Sequence, residues 1–189
     1  MANKIAWETD MKAALARARK ENKHIFLDFF NPGWIGCKQM DAVTYPNSRV
    51  INFIQENVIP LRVPFDAQPL SADFNIKWTP TLVVLDPEGK EHHRTVGFVS
   101  AEELIPSLLL GVGKSHFERD KFSEALARLD ELLKDYPESN SAPEAVFLRG
   151  VCGYKSTHTP KPLKEAYEYL KAKYPESEWL KRADPYQLL

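Results

Sequence analysis

One thiol, Cys37, stands just past the end of an apolar run that carries a single acid, Asp28. The run, Ile25-Phe26-Leu27-Asp28-Phe29-Phe30, breaks at Asn31-Pro32-Gly33. Turn residues after an aromatic, β-branched run read as strand, loop and the start of a helix. A thiol placed there lies near a helix N-terminus, where the backbone dipole favours the thiolate. Lys38 beside it is either a cation that lowers the thiol's pKa or a solvated lysine. A carboxylate in the middle of such a strand is expected to be buried, which raises its pKa and costs stability unless it is paired. Three roles stay open for Cys37: a monothiol forming mixed disulfides, an oxidation sensor through a sulfenic acid, or a packed core residue. Cys152 is far along the chain, and nothing in the sequence places it near Cys37. His92 and His93 are adjacent, so on a strand they face opposite sides, and no Cys or His has zinc-ligand spacing. No metal and no cofactor are expected.

The elements that position these residues follow from periodicity and turn chemistry. Residues 10–20 are rich in helix formers, with Asp10 or Thr9 as N-cap and Met11, Ala14, Leu15 and Ala18 on one apolar face. A short helix from Cys37 through Met40 is predicted to end before Pro46. Asn47 or Ser48 caps a helix over Arg49 to Asn57. Val58 to Val63 reads as a strand that Pro60 confines to an edge or a start. A short helix over 70–77, a strand Thr81 to Leu85, a turn Asp86 to Gly89 and a hairpin partner Glu91 to Phe98 follow. Ser100 caps a helix running from Ala101 to about Gly111, with Glu102 and Glu103 in its first turn.

The segment 25–38 resembles the thioredoxin active-site segment, Asp-Phe-x-Ala-x-Trp-Cys-Gly-Pro-Cys-Lys. Without a gap, Asp28, Phe29, Cys37 and Lys38 match it, and the family's first cysteine falls on Trp34. Thr79-Pro80-Thr81 is similar to the family's cis-proline loop, and Gly97 to the glycine after its last strand. The resemblance covers roughly residues 5–111 and implies an α/β thioredoxin-like fold, a central mixed sheet flanked by helices. In that family the first cysteine attacks a disulfide, the second resolves it, the strand acid deprotonates the second, and the proline loop holds the substrate chain. Carried over, Cys37 is the resolving thiol, Asp28 its base, Thr79 and Pro80 the substrate ledge, and Trp34 and Trp78 flank one groove. Trp34 in place of the attacker closes the two-electron dithiol cycle.

The chain beyond 111 changes character. It carries no strand signal, and Asp135-Tyr-Pro-Glu-Ser139 returns as Lys173-Tyr-Pro-Glu-Ser177, an offset of 38 residues. Gly113, Phe122, Ala125, Leu129, Leu132 and Pro137 resemble the tetratricopeptide pattern, from which Leu163 departs in the second copy. Glu178 to Ala183 is expected as a terminal helix. The division is therefore residues 1–111, thioredoxin-like, and residues 112–189, a C-terminal all-α helical-repeat extension.

The 189 residues are 43% hydrophobic and 27% charged with a net charge of −1, which gives no electrostatic reason to expect nucleic acid or a membrane. No apolar run spans a bilayer, no signal-peptide core stands at the N-terminus, and two cysteines make no disulfide framework. A cytoplasmic protein is expected. Its partners are expected to be protein or peptide clients and a cellular thiol reductant. Two functions fit: a thiol–disulfide oxidoreductase of degenerate, monothiol type with weak or specialised activity, or a non-catalytic protein-binding, chaperone-like module.

Overall fold

Asp10 opens the first helix, α1 (Met11–Glu21), by accepting the Ala13 N–H at 2.8 Å, one of the donors a helix start leaves without an intrahelical partner. Asn22, left-handed at φ 51°, ends it. The computed structural model describes residues 4–189 and divides into two units, one running to Leu108 and the other Leu109–Leu189.

In the first unit a mixed sheet has the order β2-β1-β3-β4, from β1 (His24–Phe30), β2 (Val58–Pro64), β3 (Thr81–Leu85) and β4 (Glu91–Val96). β2 runs parallel to β1, β3 antiparallel to β1, and β4 antiparallel to β3. β1 is interior and covered on both faces, which is why its sequence is nearly continuous in apolar residues. Ile25, Leu27 and Phe29 pack with Ile59, Leu61, Val63, Val83 and Leu85 against Ala14 and Ala18 of α1. Phe26 points the other way, its ring 5.7 Å from Trp7 and 6.5 Å from Tyr45. Ile25, Phe26, Leu27 and Phe29 are fully buried, each contributing about 1.5–3 kcal/mol.

β2 lies at the sheet edge, as its proline requires. Its outer side meets Glu8, whose N–H donates to Pro60 O at 2.8 Å and whose carbonyl accepts the Arg62 N–H at 2.9 Å. Residues 60, 62 and 64 therefore turn their backbone groups outward, and Pro60 and Pro64 remove no donor from the β1 ladder. The opposite edge, β4, carries Glu91 and Arg94, charges that discourage further pairing.

Cys37 lies in α2 (Ile35–Gln39). The helix expected to stop at Met40 continues as a π-helical segment, Met40–Thr44, closed by the Tyr45 N–H on Met40 O at 2.9 Å, and still ends before Pro46. Asn47 caps α3 (Ser48–Asn57) by accepting the Arg49 and Val50 N–H groups. α4 is shorter than the predicted 70–77: it covers Leu70–Asp73, and left-handed Asn75 at φ 50° turns the chain out of it.

α5 (Ala101–Glu118) overruns the stop expected at Gly111 and contains the division between the units. Within the second unit, a Cβ on Gly113 would lie 3.0 Å from Leu129 Cδ2, so this glycine permits close packing against α6 (Phe122–Asp135) and does not end a helix. α7 (Ala142–Thr157), α8 (Lys161–Lys173), α9 (Glu178–Ala183) and a 3-10 turn (Asp184–Leu188) complete the helical region. The helix ends echo the sequence repeat: Tyr136 (φ −134°, ψ 50°) closes α6 on Leu132 O, and Tyr174 (φ −134°, ψ 56°) closes α8 on Leu170 O. Among the described residues no helix is long and apolar enough to cross a membrane.

Candidate functional site

The loop Asn31-Pro32-Gly33 turns the chain from β1 into α2 through two local bonds. Asn31 Oδ1 accepts the Gly33 N–H at 2.9 Å, and Asn31 O accepts the Trp34 N–H at 3.0 Å. Cys37 is fully buried, and the Asn31 N–H donates to its Sγ at 3.3 Å. Lys38, next along the helix, is exposed.

The proline loop meets α2 directly. The Thr79–Pro80 peptide is cis, Pro80 O accepts the Gly97 N–H at 2.8 Å, and Thr81 Oγ1 donates to Trp78 O at 2.7 Å. A Cβ on Gly36 would stand 2.9 Å from Pro80 Cδ, so only a glycine lets the helix come this close to the loop. Trp34 and Trp78 meet edge to face, ring centroids 4.9 Å apart, and remain 39% and 53% exposed. Ile35 and Phe98 are exposed as well. The structure thus gathers Trp34, Cys37, Lys38, Trp78, Thr79 and Pro80 on α2 and the loop that abuts it.

Asp28 belongs to a different set of contacts. Its carboxylate has no exposed surface; Tyr45 donates to Oδ2 at 2.9 Å, and Arg62 Nε lies 2.9 Å from the same oxygen. The Arg62 Nε–H is not aimed as a hydrogen bond, so that contact is Coulombic, and Oδ1 accepts no hydrogen bond among the described residues. Arg62 also reaches Asp41 Oδ1 at 2.8 Å, and its guanidinium lies 4.3 Å from the Phe30 ring centroid, with the Tyr45 and Trp7 rings further off. Burial pushes the Asp28 carboxyl up to about 6, against the lowering pull of Arg62 and of the Tyr45 hydrogen bond. Burial, with the charge and the hydrogen bond of Asp28, raises the Tyr45 phenol well above its ordinary value. For Arg62, burial works to lower the pKa, but Asp41 and Asp28 outweigh it and the net direction is up.

Among the described residues the acid meets Arg62 and Tyr45, and the thiol meets the Asn31 amide. Arg62, Asp41, Tyr45, Asn31 and Gly36 were not singled out by sequence reasoning. A signal existed for Arg62, the one charge in the apolar strand Val58–Pro64, set beside a strand whose one acid is Asp28; the register pairs them. In the second unit Cys152 is buried and its thiol is pushed up to about 12 by that burial. Among the described residues no group of three or more His, Cys, Asp or Glu is placed to hold a metal ion.

A four-stranded mixed sheet in the order β2-β1-β3-β4, helices on both faces, and a cis-proline loop abutting the first helix after β1 define a thioredoxin-like fold. The chain belongs to the thioredoxin-like domain family, whose model matches residues 11–110. A candidate disulphide-isomerase from Bacteroides thetaiotaomicron is similar at 28% identity and a TM-score of 0.53, over 59% of this chain and 96% of its own. The oxidised C-terminal domain of DsbD from Neisseria meningitidis shares 28% identity at a TM-score of 0.44, over 51% and 91% of the two chains. A thioredoxin from Thermus thermophilus shares 20% identity at a TM-score of 0.49, over 84% and 98%. No curated protein matches the chain.

Proposed function

We propose that this member of the thioredoxin-like domain family is a polypeptide-binding protein built on a thiol–disulfide oxidoreductase scaffold, with no dithiol cycle. The exposed pair Trp34–Trp78 beside cis-Pro80 carries the reading. On this reading Trp34 occupies the position of the family's attacking cysteine. An exposed, edge-to-face aromatic pair presents a large apolar contact area beside a loop whose backbone can pair with an extended chain. Cys37, without exposed surface, then serves the packing of α2. The helical region, whose two closing tyrosines repeat the same backbone geometry, is read as a tetratricopeptide-like extension contributing to client binding. Two buried free cysteines suit a reducing, cytoplasmic setting.

The test is binding of the full chain to an array of extended apolar peptides, against Trp34→Ala and Trp78→Ala. Each substitution is expected to weaken binding by at least about 2 kcal/mol, roughly thirtyfold, as for aromatic anchors of an interface. Absence of peptide binding by the unsubstituted chain, or variants that bind as it does, sinks the reading.

A second reading is favoured by the Asn31 N–H donated to Cys37 Sγ, which holds the sulfur beside the loop that leads into α2. Cys37 then works as a monothiol with Asp28 and Lys38 as supporting groups. Its thiolate attacks a client disulfide, forms a mixed disulfide and releases the client's other sulfur as a thiolate; a cellular thiol next displaces Cys37. The similarity to the Bacteroides candidate disulphide-isomerase supports this class of chemistry. Trapping of the mixed disulfide by mass spectrometry is expected with the native chain and lost with Cys37→Ser. If no adduct forms with a disulfide-bonded peptide, the monothiol reading fails.

A further inference from the structure

The stretch that carries Cys37 is fastened to the sheet at a point away from the thiol. α2 and the π-helical segment form one continuous helical stretch, Ile35 to Thr44, and its far end makes three polar contacts. Thr44 Oγ1 donates to Val99 O at 2.7 Å, Met40 Sδ accepts the Val99 N–H at 3.4 Å, and Asp41 Oδ1 meets Arg62 at 2.8 Å. The first two are buried. The third bridges from the helical stretch to β2 and is half-open to water, with the Asp41 side chain 50% exposed.

Arg62 is well seated for such a bridge. Asp28 lies against its Nε, and the Phe30, Tyr45 and Trp7 rings surround the guanidinium plane. An arginine held by one carboxylate and three rings presents its Nη1 donors at a fixed place, so little side-chain freedom is lost when Asp41 takes one. Asp41 lies within the π-helical turn and Tyr45 closes it, and the two side chains reach Arg62 and Asp28 respectively. Cys37, one turn earlier in the same stretch, can meet a reagent or a client sulfur only when the stretch moves away from the sheet.

We propose that the Arg62–Asp41 ion pair is a latch that holds the Cys37-bearing helical stretch on the sheet and so governs access to the thiol. Arg62 and Asp41 are positioning residues in this device: neither needs to touch the sulfur. The latch concerns access alone and stands whether or not the groove beside it binds peptides; failed peptide binding and a failed latch are separate results. A client that supplies a carboxylate in place of Asp41, or a cation in place of Arg62, would open it.

The experiment is site-resolved alkylation of the native full chain by iodoacetamide, with Cys37 and Cys152 quantified separately by peptide mass spectrometry. Asp41→Ala removes the outer half of the latch from a half-exposed helical position and leaves Arg62 against Asp28. Cys37 is expected to react about two- to fivefold faster in Asp41→Ala, the range of a partly exposed ion pair. Cys152 should keep its rate. Asp41→Asn, which retains an acceptor without the charge, should fall between. Glu91→Ala breaks the ion pair on β4 in the same unit and is the control for a general loss of stability. A Cys37 rate unchanged in Asp41→Ala, or raised equally by Glu91→Ala, overturns the latch.

Discussion

Replacing Asp28 by asparagine should stabilise the sheet at neutral pH, although it removes a charge from an ion pair. The carboxyl is raised from 3.8 to about 6 because burial outweighs Arg62 and Tyr45. A folded-state pKa above the unfolded one means that the native fold binds the proton more tightly. The stabilisation from this group is thus full below about pH 4 and is lost as pH rises through about 6. A rise from 3.8 to about 6 corresponds to about 3 kcal/mol at pH 7.5. Asparagine copies the shape and the neutral state and still accepts the Tyr45 hydroxyl, and Arg62 keeps Asp41. Asp28→Asn should therefore gain up to about 3 kcal/mol at pH 7.5 and close to nothing at pH 4, provided that Asp41 continues to pair Arg62. Native-state hydrogen exchange at the β1 and β3 amides, measured for both chains from pH 4 to 7.5, reads the opening of this sheet alone. A difference that stays flat across pH 4–6, or a variant less stable than the native chain at pH 7.5, would refute the reasoning. Arg62 would then outweigh desolvation, and the carboxyl would titrate below its ordinary range.

Two glycines carry further expectations. Gly36→Ala places a Cβ 2.9 Å from Pro80 Cδ; overpacking of about 1–3 kcal/mol exceeds the roughly 1 kcal/mol that alanine gains in a helix, so the melting temperature should drop and peptide binding weaken. Gly150→Ala places a Cβ 2.6 Å from Ala166 Cβ and 3.0 Å from Pro162 O, so α7 and α8 must separate. Protease susceptibility of α7 and α8 should rise while that of β1 stays fixed; an unchanged cleavage pattern would mean that the two helices tolerate the spacing.

What the sequence discloses depends on how locally each feature is determined. The order of strands and helices is legible because period, caps and turns are set within a few residues: Asp10 and Asn47 cap the helices they were expected to cap, and Pro60 marks an edge strand. Boundaries set by tertiary contact are not. Gly111 reads as a stop, yet α5 runs on to Glu118, because whether a glycine ends a helix or lets a neighbour approach depends on what packs there, as Leu129 does at Gly113. The π-helical turn after Gln39 depends on Asp41, Tyr45 and Arg62 meeting across a strand, which no local pattern encodes. At the site the sequence marks Cys37, Asp28 and the proline loop as special, but not that the acid and the thiol have separate partners.

That separation bears on what the groove can do. A buried acid that serves a resolving thiol has to be free to take and return a proton during each turnover. Asp28 shares one oxygen between Tyr45 and Arg62, and Arg62 is itself tied to Asp41 on the helix that carries the thiol. Moving a proton onto Asp28 therefore alters the charge balance around Arg62 and with it the hold on that helix. In a chain running a dithiol cycle this coupling would link every proton transfer to a structural strain. With Trp34 read as standing where the attacking cysteine belongs, the proposed binding role asks no such proton transfer of Asp28, whose carboxylate lies against Arg62. On the proposed binding reading the aromatic pair outside and the ion-pair network inside belong together: the network holds the helical stretch beside the ledge that Trp34 and Trp78 would form. On the latch proposal, a reactive thiol at Cys37 requires the Arg62–Asp41 contact to loosen first.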